Sequence, residues 1–156
     1  MKPIKLPKMD EEEIKSSIEA KNLCRIAFID DEYPYISPFQ YILFNNSLYF
    51  HFTDYGKKKK ILAKNPNVCV SIENFKPNLS KYYFISMQGK LKLVKNNDLK
   101  KKVVSQMVKR ARENYSENFL LAHGFDKKEG WEHFTAKDQL IYKFELINKP
   151  IGLKSL

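Results

Sequence analysis

Alternation of apolar and polar residues predicts a run of short β-strands in the first third of the chain. Cys24–Ile29 is predicted to form the first strand, which ends at the acidic turn Asp30-Asp31-Glu32. Tyr35–Phe44 is predicted to be its hairpin partner, ending at Asn45-Asn46-Ser47, and Leu48–Thr53 to be the third strand. Strands joined in this way by short turns are typical of an antiparallel meander.

Three further strands are predicted beyond this meander. Asn67–Glu73 alternates through its apolar residues, Tyr82–Val94 is longer, and Asp138–Ile147 alternates at the end of the chain. Gly89 lies inside the longer strand, where a glycine indicates a bulge or a close approach of another group. Ser116–Gly130 is polar, and we expect a loop there.

Capping signals predict three helices. Asp10, with Glu13 three residues later, is a capping box that precedes Ile14 and Ile18. A short helix is expected from the lysines after Gly56 to Asn65-Pro66. Asn97 is predicted to cap a long helix that runs to about Tyr115, and its apolar residues recur at helical spacing. Those residues are Leu99, Val103, Met107 and Ala111.

These elements predict one domain, residues 1–156, of the mainly β class. Six strands in mostly sequential antiparallel order, with helices flanking them, favour a small barrel with Greek-key closure over a sandwich. The 156 residues are 43% hydrophobic, which is enough for a buried core in a single domain.

Composition narrows the functional classes. Twenty-eight basic and eighteen acidic residues give a net charge of +10, which suits nucleic acid, an anionic membrane or a phosphorylated ligand. The two cysteines form neither a disulfide framework nor a metal-binding cluster. No apolar run is long enough to span a membrane, and the first residues lack a signal peptide's apolar region. We therefore expect a soluble, cytoplasmic protein without a metal site.

The candidate chemistry is concentrated after the third strand. Thr53-Asp54-Tyr55-Gly56 leads into Lys57–Lys60, and a loop that opens a helix offers free N–H groups and the positive end of the helix dipole. This pattern suits a phosphate, although a lysine run is equally typical of a solvated helix face. Neither a Gly-x-Gly-x-x-Gly fingerprint nor an ATPase phosphate loop is present. Pro38 either marks an edge strand or leaves neighbouring backbone groups to face a ligand.

Seven stretches, in order and spacing, resemble the pyridoxamine 5'-phosphate oxidase-like family, and within it the nitroimidazole-resistance flavoproteins. They are Cys24-Arg-Ile-Ala-Phe28, Tyr33-Pro-Tyr-Ile-Ser-Pro38, Leu48-Tyr-Phe-His51, Gly56-Lys-Lys58, Leu62, Asn65-Pro66 and Val68-Cys-Val70. The resemblance covers residues 10 to 94 well and the last strand weakly. It implies a split β-barrel homodimer that binds FMN in a cleft shared by two subunits.

The resemblance also implies roles for individual residues. Lys58 matches a lysine that holds the flavin phosphate, and Lys57 replaces the usual arginine before it, which removes the bidentate fork. Backbone groups of Ser37, Pro38 and Phe39 match those that hydrogen-bond the flavin ring. The remaining matches lie along the flavin or beside it: His51, Phe52, Thr53 and Trp131. The segment Tyr82-Tyr-Phe-Ile departs from the polar pair common in the family, so one flavin contact is in doubt.

Two classes of function follow. The first is an FMN-dependent oxidoreductase acting on a small molecule, with nitro-aromatic reduction as one example and His51 as a catalytic or ring-tuning residue. An arginine-rich C-terminal segment is not found, which disfavours oxidation of pyridoxamine phosphate itself, whereas haem and deazaflavin stay open as ligands of related barrels. The second class is a basic barrel that binds single-stranded nucleic acid, which the positions of the aromatic residues in the core disfavour.

Overall fold

The computed structural model describes residues 4–122 and 139–156, which form eight strands and four helices. The strands are β1 (Leu23–Asp30), β2 (Tyr33–Gln40), β3 (Ile42–Phe44), β4 (Ser47–Phe52), β5 (Asn67–Phe75), β6 (Tyr82–Leu93), β7 (Leu140–Leu146) and β8 (Ile151–Lys154). The helices are α1 (Glu11–Ala20), α2 (Lys57–Lys64), α3 (Asn97–Asn114) and α4 (Glu117–Ala122).

All strands pair in antiparallel fashion within one sheet, in the order β2-β1-β5-β6-β7-β4-β3, and β8 pairs with the first half of β6. The two strands at the ends of this order, β2 and β3, are separated in sequence by Tyr41 alone. The sheet therefore curls until its ends meet through the chain. This confirms the predicted fold class, a mainly β split barrel with flanking helices.

The observed barrel has two more strands than the six predicted. The predicted strand Tyr35–Phe44 is divided at Tyr41, so β2 pairs with β1 while β3 pairs with β4. Tyr41 is fully buried, its N–H donates to the carbonyl of Asn22 at 3.0 Å and its hydroxyl donates to the carbonyl of Ile18 at 2.7 Å. These contacts bend the chain between two parts of the barrel, whereas the sequence pattern predicts a simple meander.

The second additional strand, β8, lies beside the N-terminal arm. Met9 N–H donates to the carbonyl of Gly152 at 2.9 Å, and Lys154 N–H donates to the carbonyl of Pro7 at 3.0 Å. Residues 117–122 of the expected loop form α4 instead, and the remainder of that loop lies outside the described residues.

Two hydrophobic clusters lie on opposite faces of the sheet. The larger fills the barrel interior, and its largest fully buried side chains include Phe28, Tyr41 and Phe50. The smaller packs beneath α3, where Val103 and Val104 contact the outer face of the sheet at Tyr49. Successive residues of β4 therefore contribute to both clusters, with Phe50 facing the interior and Tyr49 facing α3.

Gly89 allows the close approach that its position in β6 indicates. It pairs with Val68 of β5 on one side and Leu146 of β7 on the other. A Cβ atom at this position would lie 2.5 Å from the ring of Phe144 and 2.3 Å from the carbonyl oxygen of Glu145. A larger residue would force β6 and β7 apart.

The helices begin in two different ways. In α1, the Asp10 carboxylate accepts from Glu13 N–H at 2.8 Å and the Glu13 carboxylate accepts from Asp10 N–H at 3.0 Å, which is the predicted capping box. In α3, the cap is Asn96, one residue before the predicted Asn97, and its side chain accepts from Leu99 N–H at 2.9 Å. In α2, no side chain in the described part of the chain caps the first turn, which follows Gly56.

Candidate functional site

The segment from Thr53 to Lys58, which we call the α2 start, connects the end of β4 to the first turn of α2. Gly56 precedes the helix with φ 92°, a left-handed conformation that glycine adopts without strain. The first N–H groups of a helix have no acceptor within the helix, and here no side-chain cap replaces it. Together with the positive end of the helix dipole, these N–H groups can bind an anion.

The four lysines of the first helical turn differ in their surroundings. Lys57 Nζ lies 2.8 Å from Asp30 Oδ2, and Lys59 pairs with Asp54. Lys58 and Lys60 form no ion pair with any carboxylate of residues 4–122 and 139–156. Two of the four lysines are thus paired with carboxylates, and the other two are left for a ligand or for solvent.

Lys57 and Lys58 also lie over aromatic rings of β2. Lys57 Nζ is 4.7 Å from the centre of the Tyr35 ring, and Lys58 Nζ is 4.8 Å from the centre of the Phe39 ring, both within the range of a cation–π contact. The hydrogen bond to Asp30 is the main cause that raises the pKa of the Lys57 ammonium group above its usual value. Both ammonium groups therefore lie beside the same strand.

Alternation along β2 places Tyr35, Ser37 and Phe39 on its inner face. Ser37 is buried on this face, and its hydroxyl donates a long hydrogen bond of 3.5 Å to the carbonyl of Pro38. Pro38 is exposed on the opposite face, and β2 is an end strand of the sheet order. A proline is tolerated at such an edge, where backbone groups on one side lack a strand partner.

The end of β4 separates the residues predicted there. The Phe52 ring is buried, with its centre 4.8 Å from those of Phe39 and Tyr142. His51 is half-buried on the other face of β4, with Ile141 as its cross-strand partner. Thr53 is exposed, and its hydroxyl donates to the carbonyl of Tyr55 at 3.1 Å.

The structure thus brings one group of predicted residues together and leaves others apart. Ser37, Phe39, Phe52 and Lys58 lie around one corner of the barrel, with Lys57 beside them. The rings of Phe39 and Phe52 are buried in the core, so their backbone groups are the parts that can meet a ligand. His51 lies on a different face, and Trp131 lies outside the described residues.

Three residues with evident roles at this corner were missed from sequence. Asp30 and Asp54 neutralise neighbouring lysines, and the Tyr35 ring lies beneath Lys57. From sequence, Asp30 is predicted only to end the first strand. The alternation of Tyr35 with Ser37 and Phe39 was a signal that could have placed it on the same face.

Two surface depressions lie elsewhere on the chain. One of about 410 Å³ runs along α3 beside Val104, Val108 and several basic residues. The other, of about 320 Å³, lies between α1 and the β3–β4 turn, beside Ile14, Ile18 and Leu43. The residues at the α2 start line neither of them.

Two negative observations limit the chemistry of the described residues. Those residues include no group of three or more His, Cys, Asp and Glu side chains placed to hold a metal ion. No helix among them combines the length and apolar character needed to cross a bilayer.

Solved structures with the same fold include proteins that bind different ligands. An FAD-binding protein from Mesorhizobium loti is 17% identical, with a TM-score of 0.69 over 98% of this chain and 100% of that one. A candidate 5-nitroimidazole antibiotic resistance protein from Bacteroides thetaiotaomicron is 19% identical, with a TM-score of 0.66 over 96% of this chain and 90% of that one. The heme storage protein HutZ from Vibrio cholerae is 15% identical, with a TM-score of 0.66 over 92% and 94%.

At these identities the structural matches show the shared fold alone. No curated protein sequence matches the chain significantly. The family model described as Pyridoxamine 5'-phosphate oxidase matches residues 10–127, which is more than half of the chain and includes β1 to β6 and the α2 start. The chain therefore belongs to the pyridoxamine 5'-phosphate oxidase family.

Proposed function

We propose that this protein binds FMN, with the phosphate at the α2 start, and serves as an oxidoreductase for a small molecule. The observation that carries the proposal is the uncapped start of α2 beside Lys58, a lysine that no carboxylate of the described residues neutralises. Membership of the family and the flavin named for the Mesorhizobium loti structure support it.

The chemistry of the donors fits a phosphate monoester. Such a group carries about two negative charges near neutral pH and several strong acceptor oxygens. The α2 start offers helix N–H groups, a positive dipole end and the Lys58 ammonium group as donors. An ATP-type phosphate loop, with its glycines and its Ser or Thr for magnesium, is not needed for such a ligand.

The flat ring system would lie along the free edge of β2. Backbone groups near Ser37, Pro38 and Phe39 lie within this end strand, and the Phe39 and Phe52 rings form the apolar interior behind them. Backbone donors and acceptors on a rigid strand can orient a heteroaromatic ring without changing conformation. We assign Thr53, at the exposed exit of β4, to the region between ring and phosphate.

A bound flavin supplies two-electron redox chemistry, and the protein supplies its binding, orientation and proton management. His51 is the group we assign to proton management, because an imidazole titrates near neutral pH. Its position on the other face of β4 from Phe52 separates it from the phosphate contacts. A small oxidant such as a nitro-aromatic compound is the class of substrate that we propose.

A homodimer is part of the proposal. The outer faces of β1 and β2 expose apolar side chains, with Leu23 57% exposed, Ile29 50% and Ile36 60%. A patch of this kind on a sheet next to the proposed site is typical of a protein contact surface. A partner placed there would also enclose a ligand that one chain leaves open to solvent.

An absorption spectrum of freshly purified protein tests the cofactor directly. We expect a flavin spectrum, and we expect FMN to bind the apoprotein more tightly than riboflavin, which lacks the phosphate. A haem spectrum, or equal affinity for FMN and riboflavin, would contradict the proposal. Oligonucleotide binding with a steep salt dependence would favour the nucleic-acid alternative instead.

Light scattering tests the dimer. We expect twice the chain mass of 18.4 kDa at micromolar concentration. A measured mass equal to that of one chain would show that no second subunit contributes to the proposed site.

A further inference from the structure

Helix α2 is tied at both ends to one turn of the sheet. Asp30 pairs with Lys57, the first residue of α2, at 2.8 Å, and Asp31 pairs with Lys64, its last residue, at 3.2 Å. We call these two ion pairs the α2 clamp. The two aspartates are adjacent in sequence, and they lie where β1 turns into β2.

This turn is held firmly by the sheet. Asp30 pairs with Tyr33 across a two-residue connection, and Asp31 adopts the left-handed conformation with φ 49°, as such short turns require. The side chain of Asp30 is 24% exposed within its ion pair, whereas that of Lys57 is 59% exposed. The better-fixed partner is therefore the aspartate, and the lysine is held by it.

We propose that Asp30 withdraws Lys57 from the phosphate site, so that Lys57 positions α2 while Lys58 binds the ligand. This inference rests on the proposed FMN function and departs from the role that family resemblance gives to Lys57. The geometry supports it, because Lys57 lies over Tyr35 beside Asp30, whereas Lys58 lies over Phe39.

The charge at the site follows from this division. The Asp30–Lys57 pair is neutral as a unit, so it neither attracts nor repels a dianion strongly. Removing one partner leaves the other charge exposed near the helix start. A lone carboxylate there would repel phosphate, and a lone ammonium group would attract it.

The experiment measures dissociation constants for FMN and riboflavin, by flavin fluorescence quenching, with the full-length protein and four variants. Lys57→Ala is expected to weaken FMN binding by about two- to fivefold, and Asp30→Asn to strengthen it by a similar factor, as suits screened surface charges. The double variant Asp30→Asn/Lys57→Ala is expected to return to within about twofold of wild type. Riboflavin affinity should change by less than about twofold throughout.

A matched control lies at the other end of the helix. Asp31→Asn removes the same charge from the same turn but frees Lys64, which is at the C-terminal end of α2. We expect it to change FMN affinity by less than about twofold, because Lys64 lies about 10 Å along the helix axis from Lys57, which exceeds the Debye length at physiological salt. A gain equal to that of Asp30→Asn would assign the effect to net charge and overturn the positioning role.

The double variant separates the two roles of Lys57. If Lys57 bound the phosphate, Lys57→Ala would cost roughly ten- to a hundredfold, and adding Asp30→Asn would not restore the affinity. That result would overturn the inference while leaving FMN binding intact. If wild-type protein bound no FMN at all, the proposed function would fail together with the inference, so the two failures are distinguishable.

Discussion

Helices α1 and α3 begin with their N–H groups satisfied by side chains, and α2 begins without such a cap. Asp10 and Asn96 accept hydrogen bonds from the first turns of α1 and α3, whereas Gly56 offers α2 no side chain. Lysines at the positive end of a helix dipole are also locally unfavourable. The start of α2 is therefore less stable than the capped starts of α1 and α3.

A functional role would explain why α2 alone of these three helices begins without a side-chain cap. Natural sequences usually agree with the local preferences of their structure, and exceptions are concentrated at functional sites. At α2 the missing cap and the run of lysines are two exceptions in the same turn, and a bound anion would satisfy both. The three helix starts thus differ in whether a side chain caps the first turn, and the uncapped one is the proposed phosphate site.

The largest effect is expected at Lys58. Lys58→Ala should weaken FMN binding by roughly ten- to a hundredfold, because a charge-assisted contact to phosphate contributes about 1.5 to 3 kcal/mol. Lys60→Ala is the matched control, since it removes a neighbouring lysine of the same turn that is exposed and forms no ion pair with the described carboxylates. Fluorescence titration with FMN measures both. Equal losses would mean that net charge, rather than a contact to Lys58, holds the phosphate.

The structural helix starts should respond in the opposite way. Asn96→Ala should reduce the free energy of unfolding by about 1 kcal/mol, the usual cost of losing an N-cap, and leave FMN affinity unchanged. Urea denaturation measures the first quantity. Asn97→Ala serves as the control because Asn97 is the first helical residue and not the cap. A larger loss from Asn97→Ala would restore the cap to the position predicted from sequence.

His51 should affect chemistry more than binding. His51→Ala is expected to keep FMN affinity within about threefold, a difference of roughly 0.7 kcal/mol, because its side chain lies on the other face of β4 from Phe52. We expect the rate of flavin reduction, or its pH dependence, to change when measured by stopped flow between about pH 5 and 9. His51→Gln keeps hydrogen-bonding capacity without titrating and should share the altered pH profile. An unchanged profile would make His51 structural, and loss of flavin would place it in the binding site.

Periodicity and capping signals were enough to predict most of the fold. The alternating strands, the Asp10 capping box and the short helix before Asn65 were predicted from local pattern, because burial on one face imposes a period that sequence retains. The division at Tyr41 was not predictable in this way. It depends on hydrogen bonds from Tyr41 to Ile18 and Asn22, which only the folded chain brings near.

The sequence predicts where the lysines of the candidate site lie, but it does not show which of them pair with carboxylates. Lys57 and Lys58 are neighbours in one lysine run, and local pattern does not show that Lys57 pairs with Asp30, which lies twenty-seven positions earlier in the chain. β8 escaped prediction for a related reason. Its four residues carry little pattern, and its place is set by pairing with β6 and the N-terminal arm.

The smallest expected effect is the pH dependence of stability that comes from the capped start of α1. A hydrogen bond from Lys154 is the main cause that lowers the pKa of the Glu13 carboxyl below its usual value of 4.5, and the Asp10 N–H adds to it. Because the pKa is lower in the folded state, the ionised carboxylate stabilises the fold above pH 4.5, and this contribution is lost as the pH falls through the folded pKa.

Glu13→Gln should therefore lower the urea midpoint at neutral pH, and its difference from wild type should shrink below pH 4.5, where wild-type Glu13 also becomes neutral. Glu12→Gln is the matched control, since it removes a carboxylate from the same turn without breaking the capping box. FMN affinity should stay unchanged in both variants, because this helix start already has its own acceptor. A difference in urea midpoint that stays constant across the pH range would show that Glu13 acts through packing. A change in FMN affinity would show that the capped start of α1 also affects ligand binding.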